Sequence, residues 1–145
     1  MNATRLCLAL LVVATGALGG CRFFGRAPSD YAVGFPLGAA QAGDVDVQVI
    51  RADTRLRFVN TSENVLPGGR LWVNKAFSRP VEPLGVGQSA DYNLYQFRNR
   101  FDEPFRAGGF FATETPLDVV MVQLQPDDTT KLIGFRVVQG EPELR

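Results

Sequence analysis

From Val45 onward, apolar residues recur at every second position in short runs, and turn-forming residues break each run. Val45, Val47 and Val49 alternate with Asp46, Gln48 and Ile50, and Leu56 and Phe58 alternate with Arg55, Arg57 and Val59. Leu71 and Val73 flank Trp72, and Ala90, Tyr92 and Leu94 repeat the period. Phe110 and Phe111 follow Gly108-Gly109, Leu117–Leu124 is nearly all apolar, and Leu132–Val138 alternates through Ile133, Phe135 and Val137. A period of two places successive side chains on opposite faces of a strand, so these runs predict half-buried strands. The breaks fall at Ala52-Asp53, Pro67-Gly68-Gly69, Gly85-Val86-Gly87, Asp102-Glu103-Pro104 and Pro126-Asp127-Asp128. Gly, Pro and Asp adopt the backbone angles that turns require. The last break joins two strong runs and predicts a hairpin. The one helical alternative is a short helix over Ala90–Phe101, where Leu94, Phe97 and Phe101 fit helical spacing. The expected fold is therefore all-β, an Ig-like β-sandwich of about seven strands over residues 45–140, with a short tail at 141–145. An up-and-down barrel is the alternative closure.

The N-terminus obeys a different rule. Arg5 precedes an apolar run from Leu6 to Leu18, and Gly19, Gly20 and Cys21 follow. The run is too short for a spanning helix, which needs about 20 apolar residues. Its length and small-residue exit match a signal peptide over residues 1–20. The segment Leu18-Gly19-Gly20-Cys21 resembles the lipobox of bacterial lipoproteins. That resemblance implies recognition of Leu18, Gly19 and Gly20 by a signal peptidase, a diacylglycerol on the Cys21 thiol, and cleavage before Cys21. It also implies a bacterial cell envelope location and membrane attachment through lipid. Arg22 stands where an Asp favours the inner membrane in many Gram-negative lipoproteins, so the resemblance points towards the outer one.

Residues 21–44 then read as the lipidated cysteine and a tether. Pro28, Pro36 and the small residues Gly38 to Gly43 interrupt any period. A flexible chain of that length spans roughly 25–30 Å. Phe23 and Phe24, between Arg22 and Arg26, suit a membrane interface. Tyr31 and Phe35 are the tether residues able to fold back onto the domain.

Two stretches resemble bacterial Ig-like modules of the cell-adhesion-related and FxLYD types. One is Leu56-Arg57-Phe58-Val59-Asn60-Thr61-Ser62, a strand ending in Asn-Thr; the other is Val81 to Leu94, with its Leu-Gly-Val-Gly-Gln-Ser approach to a strand. Trp72 sits where such domains bury an aromatic, although no disulfide accompanies it here.

Composition narrows the chemistry. The 145 residues contain no histidine and two cysteines, Cys7 in the discarded segment and Cys21 at the lipid site. An imidazole base, a Ser-His-Asp triad and a His-ligated metal are thereby excluded. No catalytic residue, cofactor or metal site is expected. Fifteen basic and fifteen acidic side chains give a formal net charge of zero, so nucleic acid is not an expected partner. The carboxylate pairs Asp44/Asp46, Asp102/Glu103 and Asp127/Asp128 read as turn polarity, and the sequon Asn60-Thr61-Ser62 as a turn after a strand. One cluster stands out. Tyr92, Tyr95, Phe97, Phe101, Phe105, Phe110 and Phe111 interleave with Arg98, Arg100 and Arg106. Either alternate aromatics fill a core, or the segment is a contact surface, since aromatics and Arg dominate binding hot spots. The candidate contact residues are Trp72, Tyr92, Tyr95, Arg98, Arg100 and Arg106. The expected function is a non-catalytic, membrane-anchored protein-binding or assembly module. The alternatives are a glycan- or small-ligand-binding protein using Trp72, Tyr92 or Tyr95, and a structural envelope component with no discrete ligand.

Overall fold

The computed structural model describes residues 32–139. The lipobox-like segment 18–21, the other residues up to Tyr31, Gly140 and the expected 141–145 tail lie outside them. Among the described residues seven strands form: β1 (Gln41–Ala52), β2 (Arg55–Asn60), β3 (Gly69–Val73), β4 (Phe77–Val81), β5 (Ser89–Asn93), β6 (Val122–Pro126) and β7 (Leu132–Gln139). The fold is all-β. The strands make one sheet in the order β4-β3-β6-β7-β1-β2-β5, curled into a half-barrel. Its two arms face each other, so one folded sheet provides the sandwich-like core. Every neighbouring pair is antiparallel except β1 and β7, which run parallel.

The alternation in β1 decides which side is inside. Val47 and Val49 are buried and Val45 packs beside them, opposite Asn60 and Phe58 of β2. Leu56, Phe58, Leu71, Val73, Val122 and Leu124 complete the same inner layer. Phe58 meets Tyr92 and Phe135 edge-on at centroid distances of 5.5 and 6.2 Å, which ties β2 to β5 and β7. At the other arm Phe77 meets Phe105 at 5.1 Å. Edge-to-face contacts of this kind add to the burial of each ring.

Turn chemistry closes the strands. Asn74 and Lys75 both have positive φ, and the Ala76 amide donates to the Val73 carbonyl, within the three-residue turn that joins Val73 to its partner Phe77. The Pro126-Asp127-Asp128 break is the β6–β7 turn, and Leu124 pairs with Ile133 across it. At Gly69 a side chain is impossible, because a Cβ would lie 2.2 Å from the Gln125 carbonyl oxygen. Asn60 is fully buried. Its amide donates to the Asn64, Leu84 and Gly85 carbonyls, and its oxygen accepts from Ser62. The sequon is thus a saturated turn.

Several elements differ from the sequence pattern. Phe110 and Phe111 form a turn, because two consecutive apolar residues after two glycines carry no alternation to pair. The apolar stretch from Leu117 becomes a strand only at Val122. Strand β4 (Phe77–Val81) escapes the pattern because Pro80 and Arg79 interrupt its apolar positions; it is an edge strand, where Pro is tolerated. Residues 90–101 hold β5 and a single 3₁₀ turn, Leu94–Gln96, in place of a helix. On the N-terminal side β1 begins at Gln41, inside the expected tether. Phe35 packs edge-on against Trp72 at 5.2 Å, so part of that segment lies on the outer face of the sheet.

Candidate functional site

Strands β1 and β3 run in the same direction, so the turns that follow them, at Asp53 and Asn74, share one end of the half-barrel. The segment from Leu94 to Met121 also gathers there: Leu94 donates to the Thr54 carbonyl, and Asn74 bonds to the Asp118, Val120 and Met121 backbone. This end carries the least regular backbone and the most exposed apolar side chains in the described residues.

Arg51 organises it. The inward register of β1 runs Val45, Val47, Val49, and the next inward position is Arg51. At the mouth of the core its guanidinium meets backbone carbonyls instead of apolar side chains. Nη2 donates to Ala107 O at 2.8 Å, Nη1 donates to Leu117 O, and Nε donates to Asp53 O at 3.2 Å. The five fixed donors of an arginine suit such a three-way clamp. Ala107 and Leu117 are the two stems of a loop, joined also by the Leu117 amide donating to Arg106 O at 2.9 Å. The Tyr95 hydroxyl donates to Gly108 O and caps the neck from a third side. Gly108 has φ +92°, and a Cβ there would lie 2.7 Å from Pro116 Cγ, so glycine lets the stems touch.

Above the neck the chain makes one tight turn. The Ala112 amide donates to Gly109 O at 3.0 Å, which makes Phe110 and Phe111 the two corner residues. Their rings meet edge-on at 4.9 Å and are 95% and 90% exposed. Glu114 faces Arg106 at 3.5 Å, and Asp118 faces Arg51 at 3.9 Å. Both pairs are solvent-exposed on at least one side and hold little energy. Their consequence is local neutrality below the tip.

The expected contact residues divide. Trp72 is not a surface residue: it is 1% exposed, beneath Phe35, with Nε1 donating to Gln125 Oε1 at 3.3 Å. Tyr92 is half-buried against Phe58, with the Arg79 guanidinium 4.5 Å above its ring. Burial raises the Tyr92 phenol above its ordinary value, Arg79 opposes that, and Glu82 adds to it. Arg98 is half-buried, pairing with Ser78 through its backbone and donating to Asp102 O at 3.1 Å. Tyr95, Arg100 and Arg106 face solvent. Arg100 lies over Phe101, itself 68% exposed, at 4.6 Å. Phe97 and Phe105 belong wholly to the core. The sequence reading missed Arg51, although the β1 alternation marks it as the inward residue. It also missed the exposure of the Phe110-Phe111 pair, although two glycines before it mark a loop.

Two concavities bear on ligand binding. One is an apolar cleft between the arms, lined by Phe58, Leu71, Val81, Tyr92 and Leu124, with about 20 Å³ of free space. That admits a water molecule, whereas ligand pockets measure about 300–1,000 Å³. The other is a wide-open polar hollow of about 600 Å³ beside the β6–β7 turn, lined by Arg70, Gln125 and residues 126–130. Its open, polar lining is unlike the enclosed apolar walls of ligand sites. Among the described residues no three His, Cys, Asp or Glu side chains converge as a metal site, and no helix is long and apolar enough to cross a membrane. Comparisons with protein-family models, curated proteins and solved structures found no match.

Proposed function

We propose that this chain is a lipid-anchored lipoprotein of the bacterial cell envelope whose all-β domain is a non-catalytic protein-binding or assembly module. The anchor rests on Leu18-Gly19-Gly20-Cys21 after a short apolar run. The structural observation behind the binding role is that Tyr95, Arg100, Phe101 and Arg106 each face solvent along one strip of chain, residues 95–106. Aromatic and Arg side chains held in fixed positions contribute most of the energy at protein interfaces. Around this strip the backbone is tied by the Asn99 side chain, which accepts from the Phe101 and Glu103 amides at 2.9 and 3.0 Å. The glycan-binding alternative draws on Tyr95 alone, because Trp72 is buried and Tyr92 half-buried.

Affinity capture from envelope extracts tests the reading, comparing the native protein, the Cys21→Ser form and a Tyr95→Ala/Phe101→Ala form. The expected result is a partner enriched with the first and lost with the third. Equal recovery with and without the two rings overturns the binding strip. Mass spectrometry of the mature N-terminus tests the anchor separately: acylated Cys21 is expected, and a mature chain beginning elsewhere overturns it.

A further inference from the structure

Phe110 and Phe111 fit no part of the strip just described. They stand alone on a turn raised above a braced neck, and the stretch Ala107–Thr113 around them contains no charged side chain. A protein partner needs about 800 Å² from each side for a stable contact, whereas two phenyl rings supply about 150–250 Å² each. A lipid interface makes no such demand, since it accepts a small uncharged apolar tip with no complementary surface. A diacylglycerol on Cys21 would already hold the domain at a membrane, so the two rings need only add a weak local contact.

We propose that the Gly108–Pro116 loop is a second membrane contact, in which Phe110 and Phe111 enter the lipid interface beside the acylated N-terminus. The inference rests on the lipid-anchored reading above. Chain length permits it. Phe35 packs on Trp72, two residues before Asn74, and Asn74 donates to the Asp118 carbonyl beside the Leu117 stem of the loop. Two residues of strand rise roughly 7 Å at about 3.3 Å per residue, so Phe35 lies near the neck. The residues between Cys21 and Phe35 reach at most about 46–50 Å when extended. The lipid on Cys21 and the phenyl tip can therefore share one membrane surface. The brace of Arg51, Tyr95 and Gly108 gives the tip a fixed direction, so little loop entropy is lost on insertion.

The test uses the whole mature chain carrying Cys21→Ser and vesicles of phosphatidylethanolamine with a minority of phosphatidylglycerol. This unlipidated chain is expected to partition weakly, and Phe110→Ser/Phe111→Ser to lower the partition coefficient about tenfold or more. A Phe111→Trp form is expected to shift its emission to the blue on vesicles and to be quenched by brominated lipid, while Trp72 stays unquenched under Phe35. Thermal melting of each variant matching the parent confirms an intact fold. Equal partition of the Phe→Ser form, or an unquenched indole at position 111 on bound protein, overturns the proposal. So does a photo-cross-linker at position 111 that captures one protein and no lipid. The acylation state of Cys21, read by mass spectrometry, is independent of these results: an unacylated N-terminus with Phe-dependent partition removes the anchor and leaves the loop contact standing.

Discussion

Phe97 and Phe105 share a stretch of chain with Phe110 and Phe111, yet the first pair is fully buried and the second almost fully exposed. Hydrophobicity is equal at all four positions, so it does not choose between them. The backbone does. The Phe105 amide donates to Phe97 O at 2.9 Å, and Arg98 pairs with Ser78 on edge strand β4, which lays Phe97 and Phe105 over the open side of the half-barrel. Beyond Ala107 the chain meets Gly108 and Gly109, both at positive φ, and turns away before another inward position arrives. An aromatic segment is thus split by its glycines into a lid on the core and a tip in solvent.

Substitutions on the two sides of that split break or sharpen the contrast. The largest effect is expected at Phe105→Ala, which empties a fully buried site against Phe77 and lowers unfolding free energy by about 3–5 kcal/mol in denaturant titrations. Next comes Arg51→Met. It keeps an apolar stem but strands the Ala107 and Leu117 carbonyls, with an expected loss of about 1–3 kcal/mol. Amide exchange there should accelerate at Ala107 and Leu117 before β1 is affected. Tyr95→Phe removes one hydroxyl from the neck and should lose about 1 kcal/mol, again with faster exchange confined to the loop. Phe110→Ser/Phe111→Ser, on the solvent side, should change stability by less than about 0.5 kcal/mol. A loss there as large as at Phe105 would show that the tip is part of the core.

The half-buried Tyr92 provides an intermediate case with a pH signature. Its phenol is raised in the folded state, so the neutral ring stabilises the fold. That contribution is complete below the unfolded phenol value, near pH 10, and is lost as pH rises from there through the folded value. Stability measured across that alkaline range should fall for the parent chain and fall less for Tyr92→Phe.

Much of this architecture is legible in the sequence. Alternation in Val45–Val49, Leu56–Phe58 and Leu132–Val138 needs only neighbouring residues to be read, because the pleat is a local property of the backbone. The same alternation marks Arg51 as inward. Strand β4 was hidden because Arg79 and Pro80 serve an edge, and an edge is defined by the absence of a neighbour. Trp72 shows the limit most plainly. Its position between Leu71 and Val73 assigns it to the outer face, and outer residues are normally wet. Phe35, from the segment before β1, packs edge-on against Trp72 at 5.2 Å and helps to keep it dry.

The sequence by itself therefore determined most of the strands, their inward faces and the β6–β7 hairpin, all of which depend on residues close together in the chain. Tertiary structure alone decided the parallel pairing of β1 with β7 and the burial of Trp72. Those outcomes depend on which distant segments meet, and a linear pattern records what each residue prefers without recording what arrives to cover it.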